Sequence, residues 1–484
     1  MVKSKSFLGQ FVSLGIGSFI YLLVGFVGTP IITRLVDPVS YGDYSIFTVY
    51  SNIALAICVL GLDQSFVRLF YIHDSIDYRK RLLYACMLPA IGIALALGVA
   101  AAIVAFCTNA AGLSKISLAD VLIILTNVLA LILNRYSTLS ARLKYDTNLY
   151  SAINIVQKGL FLSFSTILIL TIKKNYYMIL VVSTIVSTLA ANMLGIIKER
   201  DLWSLKKTKV NDFEIEKREL FTYGIPLMIS YGITVVFNAL DKLALNLFCS
   251  RADVGVYASA LNLLAVFSVI RTSFNALWMP SAVEQYEKNK ENKVFFQKGN
   301  SFITILMLLF GAGMIMCKDL FVMLLGEKYR DAAFIFPFLM FEPILYTISE
   351  TTVTGLVVTK KSGYQVIAAV VACITNFVGN WILTPRMGAQ GAAISTGISY
   401  IVFFAMRTML ANRVYYVNYH LSKFSVMMAL LAAFAVYGSN HTFSVHQVIF
   451  FVIYALILMF VYYSECKEAF VYAKSLCKRI KGKI

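Results

Sequence analysis

Arg135, Lys158, Lys242 and Arg271 stand inside long apolar stretches, and so do Asp241, Glu342 and Glu350. Fixed charge at that depth costs about 2.5–3.5 kcal/mol in hydrocarbon on insertion scales, and it normally faces a partner or a wet cavity. With four bases against three acids, the interior is modestly cationic. Arginine in particular grips phosphate or carboxylate through two parallel hydrogen bonds. The chemistry these residues suit is non-covalent capture of an anion. Arg271, Lys158 and Arg135 are the first candidates, with Lys242 and Asp241 beside them; Glu342 and Glu350 are candidates for ion coupling. Blander readings stand next to this one: Asp241 and Lys242 as a structural pair, and Arg271 neutralised by Glu342. Neighbours one residue apart on a helix do not face each other, so one of Asp241 and Lys242 needs another partner. Asp63 and Arg68 fall near the end of an apolar stretch and read as ordinary interface charges.

Bond-making chemistry has no comparable signature. The chain lacks a Walker A sequence, GxSxG, HExxH and clustered aspartates. His73, His420, His441 and His446 lie near loops. The eight cysteines are scattered without a CxxC or a Cys/His cluster. No catalytic residue, metal or cofactor is therefore expected, and the chain reads as no enzyme.

The elements that must position these charges are membrane-spanning helices. Of 484 residues, 59% are hydrophobic and only 14% charged, against about 25% charged in soluble domains. A helix needs about 20 apolar residues to cross a bilayer. Candidate spans lie at 7–33, 42–66, 82–107, 117–140, 148–171, 176–197, 220–248, 254–283, 299–325, 332–357, 364–384, 389–411, 420–440 and 446–464. The expectation is an all-α polytopic membrane protein of about fourteen spans. Polar residues recur along several of them at helical spacing: Ser230, Thr234, Asn238 and Asp241; Ser151, Asn154 and Lys158; Asn127 and Asn134; Glu342, Tyr346 and Glu350; Asn376 and Asn380. Such spacing puts each set on one helix face, where it either bridges helices or lines a wet interior. Pro226 and Pro343 are expected to interrupt their helices.

Lysine and arginine set the orientation. With the N-terminus inside, 30 of the 43 fall in cytoplasmic segments, 9 in external ones, Lys318 among them, and 4 within spans. Arg407 is counted with the cytoplasmic set. The net charge of +18 is thus a topology signal and an attraction to anionic membrane lipids, and no nucleic-acid partner is needed. The charged stretch 198–219 divides the chain. Across it Gly42-Asp-Tyr44 returns as Gly255-Val-Tyr257, 213 positions later, and Tyr150 returns as Tyr364. The domain reading is a six-helix lobe at 1–197, a cytoplasmic linker at 198–219, a parallel six-helix lobe at 220–412, and a final helix pair with a basic tail at 413–484.

Several motifs in order carry a family resemblance: Pro30-Ile-Ile-Thr-Arg34-Leu with Pro38-Val-Ser-Tyr41-Gly42-Asp-Tyr44; Gly61-Leu-Asp63 with Arg68; Asp241-Lys242 before Asp253-Val-Gly255-Val-Tyr257; and Pro385-Arg-Met-Gly388-Ala-Gln-Gly391. The chain resembles the polysaccharide-transporter branch, the Wzx-type flippases, of the multidrug/oligosaccharidyl-lipid/polysaccharide flippase superfamily. The resemblance implies a two-lobed bundle with inward- and outward-opening states. Its cargo is then an undecaprenyl-diphosphate-linked oligosaccharide turned across a bacterial cytoplasmic membrane for O-antigen, capsule or exopolysaccharide, with both termini cytoplasmic. The resemblance implies basic residues in a central cavity, for which Lys158, Arg271 and Arg135 are this chain's candidates. H⁺ or Na⁺ as coupling ion rests on Glu342 and Glu350; a glycan polymerase and chain-length regulator are the partners expected of a flippase of this kind. The same-fold alternative is a cation-coupled exporter of small molecules; the alternative from another class is a membrane glycan polymerase.

Overall fold

A computed structural model describes residues 7–110, 117–204, 217–361 and 363–467. The centre of the expected linker and the tail bearing Cys477 lie outside them. By packing, the chain divides into Met1–Leu243 and Ala244–Ile484. That boundary falls inside a helix.

In the first unit, α1 (Phe7–Leu35) is followed by α2 (Pro38–Val59) and the short α3 (Leu62–Leu69). Then come α4 (Ile76–Ala110), α5 (Leu118–Leu143), α6 (Thr147–Ile172), α7 (Tyr176–Lys198), α8 (Arg200–Trp203) and α9 (Lys217–Phe248). Asp37 caps α2, its Oδ1 accepting from the Ser40 amide at 3.0 Å, and Pro38 takes the first turn, where a missing N–H costs nothing. The helix stops at Leu60 and Gly61, which take φ of 49° and 71°, a left-handed stop that only glycine adopts without strain. The chain restarts as α3, whose Phe66 and Phe70 pack edge-on with each other, and Phe66 likewise with Tyr136 of α5. Leu62, Leu82, Cys86, Ile132 and Leu202 complete this buried core. α1 lies along α6, close enough that a Cβ on Gly17 meets Ser151 Oγ.

Gly61 also lies against the backbone of α9. A Cβ there meets the Gly224 carbonyl oxygen at 2.1 Å. Gly61→Ala is expected to cost about 1–3 kcal/mol for the left-handed backbone alone, with the backbone clash added. A fall in thermal unfolding midpoint in detergent checks it, against Gly25→Ala, where nothing lies within 4 Å.

The second unit holds α10 (Arg251–Leu264), α11 (Ser268–Lys288), α12 (Lys293–Met316), α13 (Lys318–Val322), α14 (Ala332–Leu339), α15 (Phe341–Thr352), α16 (Thr354–Val358), α17 (Gly363–Val414), α18 (Leu421–Gly438) and α19 (Val445–Val461). α10 opens on a capping box in which Ser250 and Asp253 satisfy each other's amides. α17 is two helices in line of sequence, 363–387 and 389–414, broken where Gly388 takes φ 59°, ψ −137°. α9 continues as a helix through Pro226, contrary to the expected interruption.

Large apolar side chains face outward all along these helices, Phe106, Ile167, Met193, Leu277 and Phe460 among them, while Ser137, Thr188, Thr351 and Ser399 are buried. An exposed apolar coat around a polar interior is what lipid demands. Among the described residues, nine helices are long and apolar enough to cross a membrane, with shorter apolar helices at Phe19–Leu35 and Val445–Val461. The sequence count of fourteen is larger in that it divides α17 at Gly388 and includes segments such as α9 whose side chains are described only in part. The architecture is all-α and polytopic.

Candidate functional site

Each unit builds its own charged cluster from helices packed in that unit. In the first, Asp63 on α3 is buried and accepts Nε and Nη2 of Arg135, on α5, at 2.9 and 2.6 Å. Gln64 Nε2 adds a third bond at 2.9 Å, and the Tyr231 ring of α9 lies 5.7 Å from the guanidinium. This corrects two expectations. Asp63 is no ordinary interface charge, because α3 turns it into the core beside Cys86 and Tyr136. Nor is Arg135 an uncommitted cation. Arg68, from the same helix, rests on the Tyr223 ring at 4.7 Å.

Lys158, on α6, has a different setting. Its Nζ lies 5.5 Å from the Tyr21 ring of α1, and it has no carboxylate partner among the described residues. Asp241 is buried and Lys242 half-buried, one after the other on α9; Lys242 has no ion-pair partner among the described residues.

In the second unit, Tyr346 of α15 is the centre. The Arg271 guanidinium of α11 lies 4.4 Å from its ring centroid, Arg407 lies at 5.4 Å, and the Phe403 ring stacks on it at 5.7 Å. Arg407 belongs to α17, not to a loop. It is buried, and its Nη1 donates to Glu350 Oε1 at 3.0 Å and Ser349 Oγ at 2.6 Å, while Nη2 donates to Gln365 at 3.3 Å. Glu350 is thus engaged by an arginine that the sequence reading counted with cytoplasmic loops. Arg271 has no carboxylate partner among the described residues, so the expected alternative of a pair with Glu342 is not what the structure shows. Glu342 is half-buried on α15. Lys318, counted as an external loop charge, is fully buried at the start of α13 and donates to Asp319 at 2.9 Å.

A guanidinium over an aromatic face keeps its in-plane N–H donors uncommitted, and the ring gives it about 0.5–2 kcal/mol in exchange. Arg271 is therefore poised to donate to an anion, whereas Arg407 is consumed by Glu350. Asn134 and Asn376, each from a polar stripe, serve a different end, as do Gln157 and Asn300. Asn134 donates to Asn192 at 3.0 Å, Gln157 to Thr188 at 2.9 Å, Asn300 to Thr351 at 2.7 Å, and Ser395 to the Asn376 carbonyl at 2.9 Å. These contacts bridge helices. Ser230 lies outside the described side chains. Among the described residues no group of three His, Cys, Asp or Glu side chains could hold a metal ion.

The internal repeat appears as repeated bonds. Tyr44 Oη lies 2.9 Å from Thr184 Oγ1, and Tyr257 Oη, 213 positions on, lies 3.2 Å from Thr396 Oγ1. Asp37 and Ser40 recur as Ser250 and Asp253, the capping partners exchanged. The buried Glu350–Arg407 pair does not recur. The positions of Glu350 and Arg407 correspond to Ser137 and Gly195, where α5 and α7 approach so closely that a Cβ on Gly195 runs into Ser137 Oγ.

Residues 8–284 match the model of a family described as polysaccharide biosynthesis protein. A protein of Haloferax volcanii named "Probable low-salt glycan biosynthesis flippase Agl15" is 23% identical over 202 residues, 41% of this chain and 42% of that protein. An uncharacterized membrane protein of Methanocaldococcus jannaschii is 23% identical over 200 residues, 40% of this chain and 39% of its own. The chain thus matches about two fifths of the length of these relatives. Among solved structures, the lipid II flippase MurJ in an inward closed conformation superposes with a TM-score of 0.66 at 14% identity, covering 94% of this chain and 99% of that one. An inward-facing multidrug resistance MATE family transporter gives 0.55 at 14%, covering 81% and 94%. At such identities the likeness is one of fold.

Proposed function

The chain belongs to the polysaccharide biosynthesis protein family, and on that premise we propose that it flips a lipid-linked oligosaccharide across the membrane, with no bond made or broken. The finer reading is an undecaprenyl-diphosphate carrier turned by alternating access in a bacterial cytoplasmic membrane, both termini inside, to supply O-antigen, capsule or exopolysaccharide. Coupling to H⁺ or Na⁺ through Glu342 and Glu350, and hand-over to a glycan polymerase, belong to the same reading. One observation carries it: Lys158, in a helix long and apolar enough to cross a membrane, and Arg271, on α11, each lie against a tyrosine ring with no carboxylate partner among the described residues. A cation kept unneutralised at that depth is costly, and a diphosphate headgroup is a partner that repays the cost with charge-assisted hydrogen bonds. A small-cation exporter calls for the reverse, unpaired carboxylates, and Asp63 and Glu350 are both held by arginines.

The test is reconstitution. Purified protein in vesicles should speed the appearance of a fluorescent prenyl-diphosphate disaccharide in the opposite leaflet, and collapsing both ion gradients should slow it. Vesicles no faster than protein-free ones reject the reading.

A further inference from the structure

Asp63 holds Arg135 through a single oxygen. Nε and Nη2 of the arginine and Nε2 of Gln64 all donate to Oδ2; Oδ1 accepts no hydrogen bond among the described residues. An arginine–carboxylate pair is strongest with two parallel bonds, one to each oxygen, so three donors on one oxygen make a looser grip. Arg135 Nη1 likewise has no partner among the described residues. The arginine side chain is 34% exposed and the aspartate 6%. An open guanidinium edge therefore stands in front of a buried carboxylate.

We propose that Asp63 is a positioning residue that governs release of the diphosphate headgroup. It neutralises Arg135 while the site is empty, yields it to phosphate oxygens when the headgroup arrives, and draws it back as the headgroup leaves. The proposal rests on the function proposed above. Its physical basis is the cost of a buried charge without its partner. Once Arg135 turns to phosphate, Asp63 keeps only Gln64. Tyr136 from α5 and Cys86 from α4 carry no positive charge, and Arg68 of its own helix is engaged on Tyr223. Tyr231 of α9 faces Arg135. The headgroup-bound state is thereby destabilised, which favours turnover over tight binding.

The sign of the effect separates this role from a structural one. With the full chain in nanodiscs and geranylgeranyl diphosphate as probe, Asp63→Asn should bind several-fold more tightly than the parent. In vesicles its translocation should show both KM and kcat lowered. Asp63→Glu should restore both values. Gln64→Leu, which strips the released carboxylate of its last partner, should bind more weakly. If Asp63→Asn binds equally or more weakly with an unchanged unfolding midpoint, the proposal is overturned. Should that variant not fold, Gln64→Leu decides: binding like the parent overturns it. A parent chain that binds no probe instead defeats the functional reading beneath it.

Discussion

Arg271→Ala abolishes display of glycan at the cell surface while the amount of protein in the membrane stays at the parent level, and Lys158→Ala does the same. The reason lies in what each side chain touches. Arg271 has the Tyr346 ring at 4.4 Å and no carboxylate; Lys158 has the Tyr21 ring at 5.5 Å. Removing either forfeits a cation–π contact of about 0.5–2 kcal/mol and leaves no buried partner charge behind, so the fold tolerates it. Hydrogen bonds to charged groups are worth about 1.5–3 kcal/mol each, and an arginine that engages a diphosphate through two of them accounts for well over a hundredfold in binding. Arg271→Lys should recover only part of the activity, because an ammonium lacks the planar fork. Glycan staining of intact cells beside immunoblots of membrane fractions makes the measurement. Normal glycan from both alanine variants would remove the headgroup-gripping role.

Glu350→Ala is expected to act on stability. Glu350 and Arg407 are both buried, joined at 3.0 Å, and Arg407 Nε already lacks a hydrogen-bond partner. Removing the carboxylate strands a guanidinium in the interior between α15 and α17, at about 3–5 kcal/mol. Ser349 and Gln365 keep their bonds to it but carry no compensating charge. A double variant, Glu350→Leu with Arg407→Met, should recover most of the loss, since an apolar pair of similar volume is often no less stable than a buried ion pair. Thermal unfolding in detergent reads both. An unchanged midpoint in Glu350→Ala would mean that the pair contributes nothing to the fold.

Local signals in the sequence read well. The all-α polytopic class follows from apolar runs, and the Pro385–Gly388 stretch announces the break that Gly388 makes in α17. The Gly-x-Tyr landmarks of the repeat turn out to mark tyrosines that bond a threonine within each unit. Contacts between residues far apart in the chain were not legible. Asp63 and Arg135 are 72 positions apart, and nothing local says that the stop at Leu60 and Gly61 turns Asp63 inward. Arg407 stands near the end of an apolar run, where arginine ordinarily reaches the headgroup region; only its partners on α15 and α17 show that it is committed to the interior. Lys318 was missed for the same reason. The helix-bridging roles of Asn134 and Asn376 depend equally on neighbours that spacing does not name.

The correspondence of Ser137 and Gly195 with Glu350 and Arg407 bears on how the duplicated halves diverged. Backbone-setting features, the helix caps and the tyrosine–threonine bonds, occur in both, while the buried ion pairs Asp63–Arg135 and Glu350–Arg407 are particular to one half each. A protein assembled from two copies of either half would keep the scaffold and lose a distinct electrostatic element: two first halves would lack the ring bearing Arg271, and two second halves would lack the Asp63–Arg135 couple.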